Sequence, residues 1–131
     1  MPVSIHPSAI VDPAARLGAE VSIGPFCTVG PDVALGDRVQ LISHVVVGGR
    51  TTIGAGTAVY PFASLGLKPQ DLKFKGEPST LEIGANNQIR EQVTMNPGTE
   101  GGGMVTRIGD NGLFGDITLT QWGARMILTG A

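Results

Sequence analysis

The sequence predicts an all-β fold, a parallel β-helix built from six-residue repeats. Three observations predict it. The first is a run of aliphatics at fixed spacing: Ile5, Val11, Leu17, Ile23, Val29, Leu35, Leu41, Val47, Ile53, Val59 and Leu65, eleven stops in succession. Ile, Leu and Val make up about a quarter of the chain, so chance would produce this run on the order of once in a million, which marks it as a repeat. The second is a small or β-branched residue four places beyond each stop: Ala9, Ala15, Val21, Cys27, Val33, Val39, Val45, Thr51, Thr57 and Ala63. The third is glycine directly after the aliphatic, at 18, 24, 30, 36, 48, 54 and 66.

The period selects the fold. An α-helix would spread residues six apart around its circumference. A short strand instead keeps positions i, i+2 and i+4 on one face, and a turn lets the pattern restart. Three strands close one triangular coil, about 18 residues long, and successive coils stack their strands about 4.8 Å apart. The aliphatic then points inward, and the smaller residue at i+4 fits the tapering interior. Glycine at i+1 is expected to relieve the backbone where a strand bends into the next face. A β-sandwich is the competing arrangement, but its strands do not hold one spacing for so long.

Composition agrees with a thin aliphatic core: 131 residues with 20 Gly, 5% aromatics and 15% charged residues suit a single solenoid domain. A net charge of −2 carries no electrostatic footprint for nucleic acid. No apolar run reaches the ~18 residues that span a bilayer, so membrane insertion is not expected. The first residues, Met-Pro-Val-Ser-Ile-His, lack the basic and apolar regions of a signal peptide. The expected location is the cytoplasm. Cys27 is the single cysteine and falls on an inward i+4 position, where it reads as a small core residue.

Taken in order, residues 1–114 form the β-helix, interrupted by excursion loops at 67–80 and 98–107. The first loop breaks the register with two prolines and five charges. The repeat resumes at Ile83, Ile89 and Met95, breaks again around Gly101-Gly102-Gly103, and reopens at Ile108 to reach Phe114. Residues 115–131 do not match the pattern and read as a disordered or frame-disrupted tail. Both loops leave the repeat about one coil apart, which places them on one edge of the prism. Loops leaving a rigid scaffold are where function concentrates.

Candidate chemistry is sparse. In the first loop, Asp71 and Lys73 suit recognition of a polar, anionic substrate, with Lys73 donating and Asp71 accepting hydrogen bonds to sugar hydroxyls. The same charges also suit a solvated loop. No Gly-Lys-Ser/Thr follows the triple glycine, which excludes a P-loop. His6 reads as structural, and His44 as a surface or subunit-contact residue at i+3 of its repeat. The two histidines are 38 residues apart with no matching ligand cluster, so neither a metal site nor a zinc-dependent β-helix enzyme is expected. No cofactor is implied, and no nucleophilic triad signature occurs.

Several segments carry a more specific signal: Ile23-Gly24-Pro25-Phe26-Cys27-Thr28-Val29-Gly30-Pro31, Ser43-His44-Val45-Val46-Val47, Gln70-Asp71-Leu72-Lys73, Gly76-Glu77-Pro78 and Ile89-Arg90-Glu91-Gln92-Val93-Thr94. In order, from about residue 3 to Phe114, the chain resembles the bacterial UDP-N-acetylglucosamine acyltransferases. The resemblance implies a left-handed parallel β-helix, against the usual crossover hand, assembled as a homotrimer with the active site between subunits. It implies transfer of a 3-hydroxyacyl chain from acyl carrier protein to the 3-hydroxyl of UDP-N-acetylglucosamine, the first step of lipid A synthesis, without metal. In such enzymes a histidine acts as general base on the sugar hydroxyl. Asp71 and Lys73 fall on substrate-contacting positions of the family.

Three departures bear on activity. After Val93-Thr94 the family commonly places a histidine that helps line the site, and here Asn96 stands there. Asn96 can exchange hydrogen bonds with substrate but cannot titrate near neutrality. The family's His-x-Ala-His-Asp segment is expected just after Phe114, where this chain reads Gly115-Asp116-Ile117-Thr118-Leu119. No histidine follows His44, so the general base of the family has no counterpart and the catalytic residue is unknown. The remaining coils and the C-terminal helical domain are also missing. The chain is therefore expected to be inactive on its own. Two alternatives stand beside this reading: a non-catalytic β-helix serving as a trimerisation or interaction module, and a related sugar-nucleotide N-acyltransferase.

Overall fold

The computed structural model describes residues 2–68, 76, 78–98, 104–115 and, as backbone, 118–119. Among these residues every regular element is a strand, and every pairing is parallel. Three sheets result, and the chain visits them in strict rotation. Face A stacks Ser4–Ile5, Ser22–Ile23, Gln40–Leu41, Ala58–Val59, Gln88–Ile89 and Leu113–Phe114. Face B stacks Ile10–Val11, Thr28–Val29, Val46–Val47, Ser64–Leu65, Thr94–Met95 and Thr118–Leu119. Face C stacks Arg16–Leu17, Ala34–Leu35, Arg50–Ile53, Thr80–Ile83 and Val105–Ile108. This is a left-handed parallel β-helix.

Register shows the repeat at work. Ile5 pairs with Ile23, Val11 with Val29 and Leu17 with Leu35, each one coil of eighteen residues apart. The core is one continuous column of the predicted positions: Ile23, Leu41, Val59 and Ile89 from face A, Val29, Val47, Leu65 and Met95 from face B, and Leu35, Ile53, Ile83 and Ile108 from face C. The i+4 residues Val21, Cys27, Val33, Val39, Val45, Thr51, Thr57 and Ala63 are buried between them. Each fully buried Val, Leu or Ile contributes roughly 1.5–3 kcal/mol relative to exposure. In the first coil Ile5 is 44% exposed, because no coil stacks beneath it in the structure.

The three corners differ. At the C–A corner a glycine follows the aliphatic in each coil: Gly18, Gly36, Gly54, Gly84 and Gly109. None of these five lies in the left-handed φ region, so at this corner they do not relieve a bend, whereas the i+1 glycine Gly66 of the B–C corner does, at φ +81. They serve close approach instead: a Cβ on Gly36 would stand 2.8 Å from the Ala55 nitrogen of the coil above. The left-handed residue falls two places later, at Glu20, Arg38, Gly56, Asn86 and Asn111. Asp37 and Asp110 accept the backbone N–H groups of Ala19 and Ala85 at 2.9 and 2.7 Å, tying consecutive coils. Asn87 occupies an i+4 position where other coils carry an apolar residue or threonine. It donates to the carbonyls of Gly84 and Gly109 and accepts from Gly112 N–H.

At the A–B corner the left-handed positions are Phe26, His44, Phe62 and Gln92, with Pro25 and Pro61 pre-setting the preceding φ. The rings of Phe26, His44 and Phe62 stack in a column, with centroids 5.2 and 5.1 Å apart, on the outside of the prism. His44 is thus an exposed corner residue. Tyr60 lies beside this column, under the Arg90 guanidinium at 4.2 Å from its ring centre.

The B–C corner is where regularity is broken. Gly49 adopts φ +61 and face C begins at once, so its strands lengthen from two residues to four at Arg50–Ile53, Thr80–Ile83 and Val105–Ile108. Ile53 pairs with Ile83, thirty positions on, and Ile83 with Ile108, twenty-five on. Twelve and seven extra residues therefore leave the stack at this corner, one coil apart. Beyond Phe114, the strand Thr118–Leu119 pairs Leu119 with Met95 after a step of five residues instead of six.

Candidate functional site

Where the two loops leave, a cleft of about 310 Å³ opens at the B–C corner. Its floor is Gly49 and Gly66, at φ +61 and +81, a region that L side chains rarely adopt. A Cβ at Gly49 would strike the Gly66 carbonyl, and one at Gly66 the Thr51 hydroxyl and the Gly48 carbonyl, so the close packing of the corner beneath the cleft requires glycine at both. Thr51 Oγ1 donates to the Gly48 carbonyl at 2.7 Å and fixes the corner from inside. Across the opening, Gly98 N–H donates to Thr80 O at 3.2 Å and Thr80 N–H to Met104 O at 2.8 Å. The foot of the second loop is thereby held to face C.

The walls are mixed. Leu67 and Pro97 supply apolar surface, and Arg50, Lys68 and Asp32 supply charge. Among the described residues these three side chains enter no ion pair or hydrogen bond with one another or with a neighbour. Ser79, 4% exposed, also lines the cleft, and its hydroxyl has no hydrogen-bond partner among the described residues. A smaller depression of about 270 Å³ lies against face C, sharing Arg50 and Asp32 and adding Arg16, Thr52, Thr80 and Glu82. Thr80 Oγ1 is likewise buried without a partner among the described residues. Glu82 is taken up by Arg107, whose Nη2 approaches its Oε1 at 2.8 Å. The cleft thus offers two cations, one carboxylate and a buried hydroxyl, a set suited to hydrogen-bonding an anionic polar ligand.

Of the residues predicted from sequence, Asp71 and Lys73 lie outside the described residues. Asn96 is buried, at the end of face B directly before Pro97, so it sits at the cleft's edge. Both loops do depart from this one corner. His44 and His6 do not: His44 belongs to the A–B corner and His6 to the first coil, hydrogen-bonded to Ser8. Among the described residues no three His, Cys, Asp or Glu groups gather as a metal site. Burial pushes the Cys27 thiol up, and this buried group faces the core. Glu91 is held below the usual carboxylate range by its own backbone N–H and by Arg90, away from the cleft.

Sequence reasoning missed Arg50, Ser79 and Asp32. One signal was available. The doublet Gly48-Gly49 is a departure from the single glycine of the other repeats and marks the corner that tightens.

Comparison with known proteins places this geometry. No family model matches the sequence. Over 111 residues, 85% of the chain, it is 54% identical to the acyl-[acyl-carrier-protein]–UDP-N-acetylglucosamine O-acyltransferase of Rickettsia canadensis (strain McKiel), of which it covers 42%. It is 59% identical, with the same coverage, to the protein of that name from Rickettsia rickettsii (strain Sheila Smith). Among solved structures, it resembles UDP-N-acetylglucosamine O-acyltransferase from Moraxella catarrhalis RH4, with TM-score 0.82 and 40% identity, covering 96% of this chain and 46% of that one. The enzyme from Bacteroides fragilis 9343 gives TM-score 0.84 and 40% identity, covering 89% and 46%. The chain spans about two fifths of the length of the curated relatives it matches.

Proposed function

We propose that this chain is the N-terminal part of an enzyme of lipid A synthesis that transfers a 3-hydroxyacyl group from acyl carrier protein to the 3-hydroxyl of UDP-N-acetylglucosamine. One observation carries the reading: 54–59% identity to acyltransferases of that name over 111 residues that include both loops and the corner they leave. In this proposal Asp71 accepts and Lys73 donates hydrogen bonds to the sugar, and Asn96 orients the substrate from the cleft's edge. The chain assembles as a cytoplasmic homotrimer, with each site completed by a neighbour. No helix among the described residues is long and apolar enough to cross a membrane.

The same proposal holds that this polypeptide alone turns over no substrate. Its two histidines, His6 and His44, belong to the first coil and to another corner of the prism. Removal of a general base typically costs ~10²–10⁴ in rate. The test is a calorimetric titration with UDP-N-acetylglucosamine beside an acyl-transfer assay with acyl carrier protein as donor carrier. Saturable binding of UDP-N-acetylglucosamine, no binding of an already acylated glucosamine nucleotide with a free 2-amine, and no turnover are expected. Failure to bind the nucleotide sugar contradicts the assignment. Binding of the acylated glucosamine nucleotide in place of UDP-N-acetylglucosamine favours the N-acyltransferase alternative.

A second reading has one observation in its favour. Phe26 and Phe62, 62% and 61% exposed on either side of His44, are a ready contact surface for a trimerisation module that has no chemistry of its own. It separates from the first by the titration, since a bare module binds no nucleotide sugar.

A further inference from the structure

Asn111 and Gly112 form the one Asn-Gly pair in the chain. At such a pair a backbone nitrogen lies close to a side-chain amide carbon, and glycine carries no Cβ to obstruct the approach. Asn86 and Asn87 are followed by residues with side chains, and Asn96 by Pro97, whose nitrogen has no proton to give up. Asn111 is exposed at the C–A corner, at φ +60, and its carboxamide has no hydrogen-bond partner among the described residues. The backbone around it is tied at three points to the coil before it. Asn111 N–H donates to Ala85 O at 3.0 Å, Gln88 N–H to Gly112 O at 2.9 Å, and Gly112 N–H to Oδ1 of the buried Asn87 at 2.6 Å. The last bond comes from a side chain at a position that Val21, Val39 and Thr57 fill in the coils below.

We propose that Asn111 is a self-deamidating modification site held shut by Asn87, whose carboxamide keeps the Gly112 nitrogen from the neighbouring side chain. In the step held back, Gly112 N attacks Asn111 Cγ, and the new C–N bond closes a five-membered succinimide. The Cγ–Nδ2 bond breaks, and ammonia leaves with the proton from Gly112 N. Water then opens the ring at either carbonyl, giving aspartate where the Cγ–N bond breaks and isoaspartate where the backbone C–N bond breaks. While Asn87 Oδ1 accepts its N–H, the buried Gly112 nitrogen keeps its proton and its peptide plane cannot turn toward Cγ. Both products place a carboxylate beside Asp110, and isoaspartate also lengthens the main chain by a methylene. The strand that follows, Leu113–Phe114, depends on register: Phe114 O accepts Arg90 N–H at 2.7 Å and its ring packs in the core. Modification therefore releases this strand from face A. None of this depends on the acyltransferase reading.

The test incubates the full chain at mildly alkaline pH, natively and in urea, and follows Asn111 by peptide mapping, with isoaspartate-specific methylation to identify the product. The native chain should deamidate at Asn111 about tenfold or more slowly than the unfolded one, because a hydrogen bond must first open. Asn87→Val keeps the side chain that Val21 and Val39 place there but removes the acceptor, and should speed the reaction about tenfold. Asn87→Thr restores an acceptor, as Thr57 Oγ1 accepts Asn87 N–H at 3.3 Å one coil below, and should return the rate most of the way to that of the parent. Leu41→Ala weakens the fold elsewhere and should leave the rate unchanged, which separates general instability from loss of this one bond. After modification the Arg90 amide should exchange with solvent faster than before. Equal rates in the native and unfolded chains, equal rates in Asn87→Val and Asn87→Thr, or the same acceleration in Leu41→Ala overturn the guarded site. An Arg90 amide that exchanges no faster after modification overturns the release of the strand.

Discussion

Gly36 and Gly30 hold the same place in the repeat, one at the C–A corner and one at the B–C corner, and alanine should affect them in opposite ways. A Cβ on Gly36 would lie 2.8 Å from Ala55 N and 3.2 Å from Ala55 Cα, both backbone atoms of the next coil that cannot rotate aside. Two coils must separate locally, an overpacking cost of about 1–3 kcal/mol. Separation also weakens the ladder bond from Gly36 N–H to Ile53 O, now 2.8 Å, and the one from Gly56 N–H to Asp37 O, at 2.9 Å. At about 1 kcal/mol each if both are lost, the total loss is about 3–5 kcal/mol. At Gly30 the nearest atom to a Cβ is Gly48 Cα at 3.6 Å, an ordinary contact, and φ lies outside the left-handed region. There alanine restricts the unfolded chain and stabilises by about 0.4–1 kcal/mol. Urea unfolding of Gly30→Ala and Gly36→Ala should therefore give midpoints on opposite sides of the parent. Unfolding free energies within about 0.5 kcal/mol of each other would refute the claim that close coil approach, and not torsional freedom, requires glycine at position 36.

Other perturbations read separate parts of the fold. Leu41→Ala, at a fully buried position between Ile23 and Val59 on face A, should cost about 2–5 kcal/mol in urea unfolding, while Ile10→Ala, 70% exposed, should stay within about 0.5. Asn87→Ala leaves the carbonyls of Gly84 and Gly109 and the N–H of Gly112 without that partner, a loss of about 3 kcal/mol on the same measurement. Burial raises the Cys27 thiol above its ordinary 9.0, so its share of stability is complete below pH 9 and lost as pH climbs through the folded-state value. Cys27→Ala should flatten the alkaline fall in Tm, and the native thiol should react slowly with a thiol reagent at pH 8.

The aliphatic period was legible because strand parity and burial follow directly from side-chain spacing, and Ile23, Leu41 and Val47 needed nothing else. The shared departure of the loops was legible too, since Leu65 and Met95 are both stops on face B. What escaped depends on stacking between coils. Glycine at i+1 was visible, but at Gly36 its cause lies in the Ala55 backbone one coil away and not in its own φ. Arg50 and Ser79 stand twenty-nine positions apart and meet only because the first loop removes twelve residues from the stack. The strand Thr118–Leu119 was hidden because one step of five residues puts Leu119, not Thr120, beside Met95.

The measurement that bears most directly on the account is an amide NMR titration with UDP-N-acetylglucosamine. Shift changes are expected to gather at the B–C corner, at Gly49, Arg50, Gly66, Lys68, Ser79 and Asn96, and to leave Phe26, His44 and Phe62 unmoved. Changes confined to the Phe26–His44–Phe62 column, or none at saturating ligand, would contradict it.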